Sequence, residues 1–136
     1  MFKSKPNFHR SYLQLTLVIS TFAVLLAHAL GIFLDFYVKF QSYDSLVHFV
    51  GGFWVAIIGF WVLKNPSFRE TVFFVFLIGI IWEFFEFTVG QISIYLYDIP
   101  INLQPSLGDS VLDIIFDVLG SLAAIFYSRS IKDSMN

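Results

Sequence analysis

Four long apolar stretches alternate with short polar segments along the chain. A helix needs about 20 mostly apolar residues to cross a hydrocarbon layer of roughly 30 Å. Four segments meet this requirement, and they cover about residues 12–35, 44–63, 71–96 and 109–127. These runs do not alternate between apolar and polar positions, as the strands of a membrane barrel do. The pattern predicts an all-α, polytopic membrane protein, with residues 1–136 forming a single four-helix transmembrane bundle.

The composition supports the same class of protein. Of the 136 residues, 57% are hydrophobic and only 13% are charged, whereas soluble domains carry about 25% charged residues. A soluble fold of this size could not bury so much apolar surface, so the lipid bilayer is the expected partner. The net charge of −2 favours neither an acidic nor a basic partner, and with no basic patch and no recognised motif we expect no nucleic-acid partner. The absence of cysteine excludes disulfides and thiolate metal sites.

The basic residues predict how the chain is oriented. Seven of the eight Lys and Arg residues fall on one side of the four spans: Lys3, Lys5, Arg10, Lys64, Arg69, Arg129 and Lys132. Only Lys39 falls on the other side. Basic residues favour the cytoplasmic side, so both termini are predicted to be cytoplasmic in a multi-pass protein of the cell membrane. The first apolar run is longer than the core of a secretory signal, and we expect it to stay as a signal anchor.

Ionisable residues inside the spans are the candidates for function. The set is His28, Asp44, His48, Glu83, Glu86, Asp109, Asp113 and Asp117. An acid at the centre of a membrane helix costs roughly 2.5–3.5 kcal/mol on insertion scales, and residues retained at that cost usually have a function. Their spacings of three or four residues put them on single helix faces. The topology brings these faces together in the outer half of the bundle.

The types of these side chains suggest a metal site. His48, Glu83, Glu86 and Asp113 are the predicted metal ligands, and the three acids among them are also the predicted catalytic groups. Asp44, Asp109, Asp117 and His28 are predicted to surround and orient those ligands. Other interpretations stay open. Asp44 and Asp109 could equally be helix N-caps, His28 could be a packing residue, and the acids could be protonated and bonded to one another.

Three short segments resemble a known family. They are YDSLVHFVGGF at 43–53, WEFFEF at 82–87 and GDSVLDIIFDVLGS at 108–121. Together they resemble the YjdF-type inner-membrane proteins and, more distantly, the VanZ-like proteins. The resemblance implies a polar signature made of Asp44, His48, Gly52, Glu83, Glu86, Asp109, Asp113 and Gly120. Ser45 stands where the family often has a basic residue, and Asp117 stands where an amide is common.

Three classes of function are compatible with the sequence. In the first, a divalent ion (Zn, Mn, Fe or Mg) neutralises the clustered acids and activates water for hydrolysis or group transfer. In the second, the acids and histidines form a relay for proton- or ion-coupled transport, which four helices would support only as a homo-oligomer. In the third, the protein is a structural membrane component. We favour the first, because histidines alone cannot neutralise several buried acids. The substrate cannot be read from the sequence.

Overall fold

The chain forms a bundle of long helices. The computed structural model describes residues 8–40, 42–64, 66–97 and 106–134. Within these ranges there are five helices and no strand: α1 (Phe8–Phe33), α2 (Phe36–Lys39), α3 (Tyr43–Val62), α4 (Phe68–Tyr97) and α5 (Leu107–Ser134). All but α2 are long and apolar enough to cross a membrane. The predicted all-α architecture with four spans is confirmed.

Several helix ends differ from the predicted boundaries, and serine caps explain two of them. Ser67 starts α4 with a capping box: its N–H donates to Oε2 of Glu70 (2.6 Å), and its Oγ accepts from the Glu70 N–H (3.3 Å). Helix α4 therefore begins before the predicted Thr71. Ser106 plays the same part for α5, where its Oγ accepts from the N–H of Asp109 at 3.2 Å. At its other end, α5 continues to Ser134, well past the predicted end at residue 127.

The connection between the first two spans contains a short helix that the sequence did not predict. Helix α1 ends at Phe33, and Asp35 takes the left-handed conformation (φ 58°) that starts α2. Lys39 at the end of α2 lies 3.8 Å from the Asp35 carboxylate and donates to the carbonyl of Leu34. The predicted irregular connection with Pro100 and Pro105 lies largely outside the described residues.

Helices α3 and α5 form the centre of the bundle because glycines let them approach closely. A Cβ added at Gly52 of α3 would meet the backbone of Asp117, and one added at Gly120 of α5 would meet the carbonyl oxygen of Phe49. Small residues at membrane helix interfaces permit such backbone contact. Helix α1 packs mainly on α3, and α4 packs on both α5 and α3. The central pair therefore carries the two outer helices.

The two ends of the bundle have different interiors. At the end away from α2, an apolar core forms from Leu13, Ala56, Ile57, Val75 and Ala124. At the end near α2, the buried side chains include His48, Glu83, Asp113 and Asp117. Meanwhile large apolar side chains face outward along the helices, including Phe22 and Phe84, each 70% exposed. Such an outer surface suits lipid rather than water.

Candidate functional site

The imidazole of His48 lies at the centre of the polar interior, and its side chain is only 4% exposed. Its Nδ1 lies 3.4 Å from Oδ2 of Asp117 on α5. Its Nε2 lies 3.7 Å from Oε1 of Glu83 on α4 and 4.0 Å from Oδ1 of Asp44, one turn earlier on α3. Carboxylates from three helices thus surround both ring nitrogens.

Two sets of side chains that share His48 have the spacing to hold a metal ion. One set is His48 with Glu83 and Glu86, and the other is His48 with Asp44 and Asp113. In each set, one ligand atom per residue lies within 4.8 Å of the others. The three predicted carboxylate ligands therefore lie around the fourth ligand, His48, with Asp113 grouped beside Asp44 rather than beside the glutamates. We call His48, Asp44, Glu83, Glu86, Asp113 and Asp117 the His48 cluster.

Two buried aspartates of α5 have different surroundings. Asp113 accepts a 3.4 Å hydrogen bond from the Ser45 hydroxyl of α3. Asp117 extends toward α4 over Gly79, where an added Cβ would lie 2.7 Å from its Oδ2. The glycine leaves the space that the Asp117 carboxylate uses beside Nδ1 of His48. Asp117 therefore lies beside Nδ1 of His48, and its orienting role stays a prediction.

Asp44 and Asp109 are not the N-caps of their helices. Ser42 is the N-cap of α3, and Ser106 accepts the first-turn N–H of α5. Both aspartates lie in the first turn instead, where a negative charge interacts favourably with the helix dipole. Asp44 belongs to the His48 cluster, whereas Asp109 belongs to neither metal-capable set of the described residues.

His28 has a different environment from the one predicted. Its Nδ1 lies 2.8 Å from the hydroxyl of Tyr37 on α2, and its ring stacks obliquely against Trp82 with centroids 6.1 Å apart. It falls in neither metal-capable set of the described residues. Tyr37 packs into the space left by Gly31, where a Cβ would meet its ring. His28 thus joins α1, α2 and α4 rather than orienting His48.

Sequence reasoning missed the residues that position the site. Their positioning roles can be recognised only when it is known which helices are neighbours. These residues are Ser45, Tyr37, Gly79 and the contacting pair Gly52 and Asp117. A partial signal was present, since Gly79 lies one turn before Glu83 and Gly120 lies one turn after the aspartates of α5. Small residues beside polar ones indicate close helix packing, but they do not say which helix approaches.

Comparison with known proteins identifies the family of this bundle. Residues 7–134 match the family described as "Predicted membrane protein (DUF2238)". The chain belongs to this family. It is 33% identical over 132 residues to a Thermotoga maritima protein described as "Uncharacterized protein". The match covers 89% of the chain and 66% of that relative's length, just under two thirds. No solved structure matches the chain.

Proposed function

We propose that the protein binds one divalent metal ion at the His48 cluster and uses it for hydrolysis or group transfer at the membrane. The main observation behind this proposal is that carboxylates lie beside both ring nitrogens of His48. Asp117 beside Nδ1 would hold the proton there, so that Nε2 is left as a neutral ligand toward Glu83 and Asp44. Metal-ligating histidines commonly have this carboxylate arrangement.

The ligand atoms of the His48 cluster limit which metal ions it would bind. It offers one imidazole nitrogen and several carboxylate oxygens without sulfur, a combination suited to Zn, Mn, Fe or Mg. The glutamates of α4 are spaced Glu-x-x-Glu and lack the Glu-x-x-His pair of di-iron bundles. This difference argues against oxygen activation and for hydrolytic chemistry.

Each side chain then has a role in the proposed reaction. A bound divalent ion would make a coordinated water acidic enough to lose a proton near neutral pH. Glu83 and Asp113, both buried, would serve as oxygen ligands. Glu86 shares a metal-capable set with His48 and Glu83 and is less buried than Glu83. It would bind the ion through one carboxylate oxygen and accept the water proton on the other as the water oxygen bonds to the substrate. As the bond between the substrate and its leaving group breaks, the same proton would pass to the leaving group.

Transport is less well supported by the geometry. An ion that crossed the bundle would have to pass the apolar core of Ala56, Ile57, Val75 and Ala124, which lies between the His48 cluster and the opposite end. Bilayer-depth relays normally use chains of ionisable groups. Homo-oligomer formation stays a prediction.

We also propose that the polar signature of the YjdF-type proteins is a feature of this family. Six of the eight residues in that signature are either Gly52 or members of the His48 cluster.

Metal content tests the proposed function. Detergent-purified wild-type protein is expected to carry a stoichiometric divalent ion by elemental mass spectrometry, and Glu86→Gln and Asp113→Asn are expected to lose it while staying monodisperse. The matched controls Glu70→Gln, on the same helix, and Asp35→Asn should retain the metal, because neither residue belongs to a metal-capable set of the described residues and both are exposed. Metal-free wild-type protein after purification in metal-supplemented buffer, or equal metal in all five proteins, would contradict the proposal.

Orientation is tested independently, and we propose that the His48 cluster faces the outside of the cell. Because the chain has no cysteine, single introduced cysteines report without background. Ser42→Cys, beside α2, is expected to react in intact cells with a membrane-impermeant thiol reagent. Ser67→Cys, at the opposite end and likewise exposed, should react only after the cells are opened. The reverse pattern would place the cluster at the cytoplasmic side.

A further inference from the structure

The His48 cluster has one exposed side. The residues that enclose it most tightly are His48, Glu83, Asp113 and Asp117, all buried. Asp44 is 30% exposed through its side chain, and Glu86 is also partly exposed. A molecule that approaches the cluster would therefore meet Asp44 and Glu86 first.

Glu86, one of the two partly exposed carboxylates, lies beside a gap between α1 and α4. Trp82 contacts His28 of α1, so the face of α4 that carries Trp82 is turned toward α1. Glu86 lies four residues later, on that same face. Each of α1 and α4 packs against α3 and α5. Along their described residues, the backbones of α1 and α4 do not contact each other. The rings of His28 and Trp82 thus close a gap that the helix backbones leave open.

Tyr37 covers the same gap from the end of the bundle. Its ring packs over Gly31 and meets Tyr43 edge-on, with centroids 5.3 Å apart. Tyr37 lies outside the spans, and its pKa is raised by burial and then by the charges of Asp44 and, more weakly, Glu86. The hydroxyl consequently stays protonated and can donate to Nδ1 of His28. Because Tyr37 contacts Tyr43, the residue before Asp44, it lies at the edge of the His48 cluster.

The gap lies just inside the hydrocarbon core, and Glu86, eighteen residues or about 27 Å from the start of α4, comes within a few ångströms of the boundary with the polar head groups. His48 is five residues from the start of α3, about 8 Å below that end at 1.5 Å per residue. Glu83 is fifteen residues from the start of α4, about 22 Å from the opposite end by the same rise. The two values agree for a core about 30 Å thick. Tyr37, Tyr43 and Trp82 beside the site are the residue types that mark a membrane interface.

We propose that the substrate of the His48 cluster is a membrane glycerolipid, whose head group enters sideways from the bilayer between α1 and α4. Water-soluble molecules would have to enter past Tyr37, whereas a lipid head group already lies at the level of Glu86. The apolar outer faces of α1 and α4 keep the acyl chains in the bilayer during the reaction. The assignment of a substrate rests on the proposed function, whereas the lateral route rests only on the helix arrangement.

Photolabelling in lipid nanodiscs tests this route. The probe is a phospholipid with an alkyl diazirine in its head group, and the labelled residues are identified by mass spectrometry. We expect labelling of Glu86 or Asp44 in wild type and a severalfold increase in Trp82→Ala, which removes the ring that contacts His28. Phe84→Ala is the matched control, since Phe84 points away from that face and is 70% exposed, and it should match wild type.

Two further arms separate the possible failures. The deacylated, water-soluble head group with the same diazirine should label Glu86 and Asp44 far less than the lipid does, and equal labelling would overturn lateral entry. Lateral entry would also be overturned if the lipid probe labelled Trp82→Ala no more than Phe84→Ala. The same holds if the probe never labelled the His48 cluster of metal-loaded wild type. Labelling is repeated with chelator and with Mn²⁺, and metal is measured on the same samples. Lipid labelling of Glu86 in protein that never binds metal supports the route and contradicts the proposed metal chemistry instead.

Discussion

A methyl group at Gly52 is expected to destabilise the bundle by about 1–3 kcal/mol or more, as overpacking of a tight interface does. The added Cβ would meet the carbonyl oxygen, Cα and carbonyl carbon of Asp117. Backbone atoms cannot move aside as a side chain can, so α3 and α5 would have to separate. Gly120→Ala should have the same effect, because its Cβ would meet the backbone of Phe49 and Phe53.

Gly51 provides the matched control for this prediction. It is adjacent to Gly52 on the same helix, but an added Cβ there would lie 4.0 Å from its nearest neighbour, Oδ1 of Asp117. Gly51→Ala should therefore unfold near wild type, or slightly later, because alanine favours helices more than glycine does. The measurement is the free energy of unfolding in mixed micelles with rising SDS. Equal stability of Gly52→Ala and Gly51→Ala would show that α3 and α5 are not in backbone contact.

Replacing Asp117 with asparagine is expected to weaken metal binding by about 10–100-fold without removing the site, as loss of an orienting group does. The carboxylate faces Nδ1 of His48 at 3.4 Å, and an amide there would fix the ring proton less well. At saturating metal the stoichiometry should equal that of wild type. Glu86→Gln, which removes a proposed ligand, should instead lose stoichiometric binding. Calorimetric titration of metal-free protein in detergent distinguishes the two patterns.

Gly79→Ala should reproduce the Asp117→Asn effect without altering any ionisable group. Its Cβ would lie 2.7 Å from Oδ2 of Asp117, so the carboxylate would have to swing away from His48. Gly51→Ala approaches the other oxygen of the same carboxylate only at ordinary contact distance and should leave metal affinity unchanged. If Gly79→Ala and Asp117→Asn both bind metal as wild type does, Asp117 has no orienting role.

Helical spacing explains why so much of the site could be predicted. His48 lies one turn from Asp44, Glu83 one turn from Glu86, and Asp113 one turn from Asp117, so each pair shares a helix face. Four spans joined in order then bring these faces to one end of the bundle. The role of His28 could not be predicted in this way, because its partner Tyr37 comes from a short helix that lacks any apolar periodicity.

The sequence by itself determined the class of the protein, its four spans and the faces that carry its polar residues. These features follow from hydrophobic length and from a period of 3.6 residues, which are properties of a single helix. Only the tertiary structure decided which faces meet: that α3 and α5 contact through Gly52 and Gly120, that Asp117 reaches His48 over Gly79, and that Asp113 lies with Asp44. Such choices depend on the rotation and separation of whole helices, which are set by the summed packing of side chains distant in sequence.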